Sequence, residues 1–343
     1  MTRVRSGAEM TRTMNVLVTG GAGYVGSHAA RQLIEAGHRV VVVDNLARGH
    51  RQAVHPQAVF RQLSLDDTDE LANLLREHRV DAVMHFAALI AVGESVREPL
   101  AYYDNNTAGA VSLLRAMRRS GVGRLVFSST AAVYGEPEAM PIAETAPAQP
   151  INPYGRSKWF VERILADCAA ADGDFSFVSL RYFNVAGAAA DGSLGEDHDP
   201  ETHLIPVLLQ AALGRRGPAT VFGTDYPTPD GTCIRDYIHV EDLSAAHVLA
   251  MEALRPGDAR IYNLGIGRGY SVREVLEAAR RVTGIDIPVE YGARRPGDPA
   301  ILYADPAKAQ RDLGWRPRYA ELDAIVATAW SWLKAHPRGY EKG

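Results

Sequence analysis

A β-branched run, Asn15 to Thr19, leads without a break into Gly20-Gly21-Ala22-Gly23-Tyr24-Val25-Gly26, and an amphipathic stretch continues from Tyr24 to Ala36. No other feature restricts the fold of this chain as much. Glycines at 20, 23 and 26 permit a tight turn, close approach of backbone to a phosphate, and close packing of helix on strand. The helix N-terminus then aims its free N–H groups at a pyrophosphate. A glycine triplet alone is a weak sign, because glycine turns are common. Here the strand before it and the helix after it supply the context that a dinucleotide-binding unit requires. Asp44 ends the next β-branched run, Arg39 to Val43, where a carboxylate accepts hydrogen bonds from the adenosine ribose hydroxyls. It would repel a 2′-phosphate, so the cofactor expected is NAD; Arg48 is the nearby cation that keeps NADP open.

The rest of the first half repeats the strand–helix alternation. Strands are expected at Ala58 to Leu63, Asp81 to Phe86, Arg124 to Ser128 and Phe175 to Leu180. Helices are expected over Asp67 to Glu77, in a long stretch opening at Pro99, and from Asn152-Pro153. This predicts an α/β fold with a doubly wound parallel Rossmann sheet and right-handed crossovers. After Asn184 the alternation stops, and Gly, Pro, Asp and His become frequent from Gly187 to His203. Short elements follow at Leu204 to Leu213, Ala219 to Phe222 and Val240 to Leu254. A chain of 343 residues is long enough for a large α/β unit and a smaller mixed α/β substrate-binding partner. The predicted division is a disordered tail over 1–13, a dinucleotide-binding domain over 14–184 with 235–258 returning to it, and a substrate domain from 185–234 and 259–335. Met10 and Met14 are alternative starts.

Composition closes other routes. A net charge of −4 lacks the basic balance of a nucleic-acid binder, and no apolar run is long enough to cross a bilayer. Two cysteines, Cys168 and Cys233, make neither a disulfide framework nor a zinc knuckle and suit a reducing, cytoplasmic setting. His85, His203 and His239 are dispersed without ligand spacing, so no metal is expected. There is no Gly-x-Ser-x-Gly elbow for a nucleophilic serine.

Tyr154-Gly155-Arg156-Ser157-Lys158 places a phenol and an ammonium one helical turn apart, facing the same way. An enzyme that oxidises an alcohol needs a base for the hydroxyl proton, and a tyrosine near pKa 10 ionises too weakly. Bringing it near neutrality takes about three units, or roughly 4 kcal/mol. A cation at about 4 Å supplies roughly that at an effective dielectric of 20. Burial of the phenolate opposes the shift, so the positive nicotinamide ring is expected to assist. Tyr-x-x-x-Lys occurs in many helices; its weight comes from the dinucleotide unit and from Ser128-Ser129-Thr130 at a strand's carboxyl end, where open α/β sheets bind ligands. Thr130 is placed to relay a proton to Tyr154, whereas Ser128 also reads as a strand-end cap.

Together these residues resemble the extended short-chain dehydrogenase/reductase superfamily, and within it the UDP-glucose (UDP-galactose) 4-epimerase family. The resemblance runs from about Met14 to about Lys334 through TGGAGYVG at 19–26, DNL at 44–46, HFAA at 85–88, VGESV at 92–96, YYDNN at 102–106, SSTAAVYG at 128–135, NPYGRSK at 152–158, RYFNVAG at 181–187, DYPTPDGTCIRDYIHV at 225–240 and RRPGD at 294–298. It implies tightly held NAD that is reused, Tyr154 as base, Lys158 as its tuning cation and ribose ligand, and Thr130 in place of the more frequent serine. Implied cofactor contacts are Gly20, Gly23, Tyr24, Val25, Gly26, Asp44, Asn45, Leu65, Phe86, Ala87, Asn105, Ser128, Tyr154, Lys158 and Tyr182. Implied UDP-sugar contacts are Thr130, Tyr154, Asn184, His203, Leu204, Val221, Phe222, Arg235, Arg295 and Asp298, the arginines meeting the diphosphate as forked donors. A homodimer through the helices starting near Pro99 and Pro153, and a place in galactose metabolism, are implied likewise.

Four positions depart from the family pattern. Ser64 stands for an adenine-contacting aspartate, Ile90 for a lysine of some members and His203 for an asparagine. Leu302 stands where some members have tyrosine and those taking N-acetylated sugars have a small residue. A UDP-pentose or UDP-N-acetylhexosamine epimerase therefore stays open. An NDP-sugar 4,6-dehydratase needs Asp-Glu after the threonine, and this chain has Ala131-Ala132. A catalytically dead NAD-binding protein would have no need of Tyr154 with Lys158.

Overall fold

The computed structural model describes residues 12–295 and 298–340, so the expected disordered tail lies, apart from Arg12 and Thr13, outside the described residues. Strand β1 (Asn15–Thr19) feeds α1 (Tyr24–Glu35), which returns as β2 (Arg39–Asp44) and β3 (Val59–Gln62). Helix α2 (Thr68–Glu77), with Asp67 accepting from the Glu70 amide as its N-cap, leads to β4 (Ala82–His85). Alternate residues of the strands enter two cores. Val16, Val18, Val40 and Val42 pack on one face with Ala29 and Leu33 of α1, while Leu17, Val41 and Val83 pack on the other with Leu71 and Leu75 of α2. That double burial is why the strands read as unbroken apolar runs.

The long helix expected at Pro99 is broken up. Short helices α3 (Val92–Arg97) and α4 (Pro99–Tyr102) precede a π-helical turn over Tyr103–Ala108, and only then does α5 (Gly109–Ser120) begin. Within that turn the buried Asn106 side chain accepts from Leu89 N and donates to Leu89 O, so the widened backbone delivers a side chain that pins the loop after β4. Strand β5 (Arg124–Ser128), helix α6 (Pro153–Ala171) and strand β6 (Ser176–Tyr182) complete the alternation.

Beyond β6 the chain forms β7 (Asn184–Ala186), α7 (Leu204–Ala212), β8 (Ala219–Phe222), β9 (Ile234–Arg235), β10 (Tyr237–His239), α8 (Val240–Ala253) and β11 (Ala259–Leu264). Then come β12 (Tyr270–Ser271), α9 (Val272–Thr283), β13 (Val289–Gly292), β14 (Ile301–Leu302), α10 (Ala307–Leu313) and α11 (Leu322–Ala335). The main sheet runs β3-β2-β1-β4-β5-β6-β11, all parallel. Helix α8 returns to the face carrying α1. The return extends past the expected limit at 258, because β11 pairs with β6 from Ala259↔Phe177 to Leu264↔Tyr182 and sends Tyr262 and Leu264 into the first core. A third core gathers α7, α9 and α11. Strand order reverses between β1 and β4, which opens a crevice at their carboxyl ends. Among the described residues no helix is long and apolar enough to cross a membrane.

Candidate active site

The glycine turn sits at that crevice and fits a dinucleotide. Gly20 has φ +71°, and a Cβ there would stand 2.5 Å from the Ala87 amide nitrogen. A Cβ on Gly26 would collide with the Gly20 carbonyl oxygen, so α1 lies directly against the turn. Gly23 caps α1 without a side chain, which leaves the N–H groups of its first turn facing the cleft. Asp44, nearly buried, is gripped by the amides of Ala22 (3.0 Å) and Leu46 (2.8 Å). Burial pushes its carboxyl pKa up and the two amides pull it back. A carboxylate has about four acceptor sites, so two remain for ribose hydroxyls.

Helix α6 opens with Asn152, whose Oδ1 accepts from Gly155 N at 2.8 Å, followed by Pro153. This fixes Tyr154 in the first turn, where its phenol faces the cleft and its ring meets Tyr102 edge-on. Burial raises the pKa of the phenol, and Thr130 beside it pulls the other way. Lys158 is 3% exposed, and its Nζ donates to the Ser128 carbonyl at 2.9 Å. Burial lowers its pKa to about 7, with Glu162 one turn further on opposing. Behind it Glu162 is held by Ser129 Oγ and by a two-point pair with Arg181, all three buried. Ser128 Oγ meets the Tyr182 hydroxyl, and Asn106 Nδ2 donates to Ser157 Oγ. These supporting groups (Glu162, Arg181, Asn106) were not singled out from sequence, since nothing local marks a charge or amide as buried.

One cleft of about 2400 Å³ joins the glycine turn to the second part of the chain. Every predicted cofactor and substrate residue lines it except Ser128, Lys158 and Val221. Ser128 and Lys158 are buried and bonded to each other through the Lys158 Nζ–Ser128 carbonyl contact. Val221 alternates inward on β8 and packs on Tyr226 and Val272, leaving its neighbour Phe222 on the cleft. The Arg295 guanidinium lies 3.9 Å from the centre of the Phe222 ring. Arg235 is paired with Asp298 at 2.6 Å, so these two predicted substrate residues hold each other in place. Ser64, Ile90 and Leu302 also line the cleft, as do Ala131 and Ala132. Although no metal was expected, Glu196, His198, Glu201 and His203 come together at its edge. Their spacing in the sequence, Glu-x-His-x-x-Glu-x-His, is the signal that was available.

Residues 16–265 match the NAD dependent epimerase/dehydratase family. The chain belongs to that family. Within it, a UDP-glucose 4-epimerase of Lactobacillus helveticus is 54% identical, covering 96% of this chain and 99% of the relative. A UDP-glucose-4-epimerase of Stenotrophomonas maltophila, solved with NAD and formylated UDP-arabinopyranose, is 46% identical with TM-score 0.92 over 95% of this chain and 99% of that one. A UDP-glucose 4-epimerase of Bifidobacterium longum, solved with NAD+ and UDP, is 40% identical with TM-score 0.91 over 95% of this chain and 100% of that one.

Proposed function

We propose that this chain is an NAD-dependent isomerase that inverts C4 of a UDP-sugar, with UDP-glucose and UDP-galactose the preferred pair, through a transient 4-keto sugar. The observation that carries the reading is the Tyr154 hydroxyl, set in the cleft with Thr130 on one side and the Lys158 ammonium beneath its helix. Gly20, Gly23, Gly26 and Asp44 would hold the cofactor, and Arg235, Arg295 and Phe222 the nucleotide diphosphate. Oxidised NAD, when bound, supplies a two-electron acceptor for C4 and a positive charge beside the phenol. Tyr154 accepts the proton of the sugar 4-hydroxyl, with Thr130 as relay, and returns it after the sugar has turned. Lys158 favours the phenolate between those steps.

A dehydratase reading is disfavoured because Ala131 and Ala132 line the cleft where that chemistry needs an acid and a base. In this reading 14–184 with 235–264 bind the cofactor, and 185–234 with 265–335 cover the sugar. The two cysteines are free, which suits cytoplasmic galactose metabolism. Two copies would pair through the apolar side chains exposed on α3, α4 and α6, among them Val96, Leu100 and Phe160.

Incubating the protein separately with UDP-galactose, UDP-xylose and UDP-N-acetylglucosamine, then resolving the products, tests both reaction and sugar. The expected result is UDP-glucose from UDP-galactose with no net NADH; failure to convert any of them, with NAD bound, would overturn the reading. Tyr154→Phe keeps the ring against Tyr102 and removes the proton acceptor. Turnover is expected to fall at least about 100-fold while NAD still co-purifies. Near-normal kcat would take the base role from Tyr154.

A further inference from the structure

The loop between β7 and α7 brings four metal-type donors into one segment of eight residues, Glu196 to His203. One ligand atom from each of Glu196, His198, Glu201 and His203 can be chosen so that all lie within 4.8 Å of one another. His198 Nδ1 is 3.2 Å from Glu196 Oε1 and 3.7 Å from Glu201 Oε2, and His203 Nδ1 meets the same Glu196 oxygen. Around a tetrahedral ion with bonds of about 2.0–2.2 Å, donors stand roughly 3.3–3.6 Å apart. His198 stands at about that spacing from both carboxylates, whereas His203 Nδ1 is close enough to Glu196 to hydrogen-bond it and would draw back to ligate an ion. Both carboxylates are buried, with side chains only 4% exposed. Glu201 Oε1 accepts from the amides of Thr202 and His203, while Glu196 faces the two imidazoles, and burial of the pair is costly unless positive charge neutralises it.

We infer that Glu196, His198, Glu201 and His203 form a binding site for a divalent cation of the zinc class, on the wall of the cleft next to Tyr24. Two imidazoles and two carboxylates suit zinc; magnesium and calcium ask for six or more oxygens, which this set does not supply. The segment is also where a cross-link has something to hold. The Tyr24 hydroxyl donates to the Gly187 carbonyl at 2.6 Å, His198 packs edge-on against the Tyr24 ring, and His50 Nε2 lies 2.9 Å from the Asp197 carbonyl. An ion here closes the loop on itself up to His203, the residue that caps α7, and thereby fixes the edge of the cleft beside the glycine turn.

The competing account is a closed cluster in which protonated imidazoles alone neutralise the carboxylates. The two differ in what the protein takes up. Purified protein retaining its NAD is stripped with a chelator, and zinc sulfate is titrated back while bound metal and the thermal midpoint are followed. One zinc per chain, a rise in midpoint, and no displacement by excess magnesium are expected. His198→Gln and Glu196→Gln, made separately, should each lose stoichiometric zinc while the NAD content and far-ultraviolet spectrum stay as in the parent. Absence of stoichiometric zinc in the folded parent protein overturns the site, whatever the variants do. Undiminished uptake by a folded His198→Gln or Glu196→Gln overturns it equally. Because the readout is metal content, the result does not depend on which sugar the enzyme turns over.

Discussion

Four buried histidines, His28, His85, His239 and His247, carry acid sensitivity in the fold, because burial lowers the pKa of each; His28 and His247 show the geometry most plainly. Each Nδ1 faces a carbonyl four residues back, Tyr24 O at 2.8 Å and Leu243 O at 2.9 Å, so each ring is assigned its proton there. Neither Nε2 has a hydrogen-bond partner. Burial lowers both pKa values from 6.5 to about 4. Between those limits the unfolded chain binds more protons than the folded one, so stability falls as pH drops from 6.5 towards 4. A shift of that size is worth about 3 kcal/mol for each ring. The thermal midpoint is expected to drop steeply from pH 6.5 to 4, and less steeply in a His28→Gln, His247→Gln double variant, where His85 and His239 still contribute; equal slopes would refute the assignment. The same term bears on the catalytic pair. Spacing made Tyr154 and Lys158 legible as partners, but their protonation depends on burial, which raises the phenol and lowers the ammonium. No local pattern in the sequence states how dry a site is.

At the scale of elements, the contact between β1's turn and α1 is the one with least slack. A methyl at position 26 meets the Gly20 carbonyl, and rigid backbone lies on both sides. Gly26→Ala is therefore expected to cost about 1–3 kcal/mol and to reduce co-purified NAD sharply. Thermal unfolding and release of NAD from denatured protein check both; unchanged NAD content would mean that the turn tolerates the shift. Strands β1, β2 and β5 and helix α6 were readable because local signals agree with burial: apolar runs, an Asn-Pro start, and turn glycines. The π-helical turn was not readable, since it is set by Asn106 bonding to Leu89, seventeen residues away. Strand β11 was missed for a related reason: its place is decided by pairing with β6, far back in the chain. The histidine–glutamate cluster was overlooked because His203 was weighed alone, without His198, although the loop between Glu196 and His203 is short enough to bring them together.

Across the whole molecule, α6 connects the catalytic turn to an exposed apolar face. Tyr154 looks into the cleft, while Phe160, further along α6, packs at a tilt against Tyr103 and stands 39% exposed. Nearby, α3 and α4 pack on α6 and present Val96 and Leu100, which are 63% and 75% exposed. Scattered apolar residues need no explanation, but several on adjoining helices form a patch of the kind that marks an interface. Pairing such helices with those of a second copy would build a four-helix contact across a two-fold axis, each α6 facing its mate. Light scattering at micromolar concentration is expected to give twice the chain mass. Val96→Asp with Leu100→Asp places four carboxylates in that contact per dimer and should yield monomer with NAD still bound. Turnover should fall less than dimer content, because Tyr154, Lys158 and Thr130 all belong to one chain. A parent protein that remains monomeric as concentration rises, or a double variant that remains dimeric, would put the interface elsewhere.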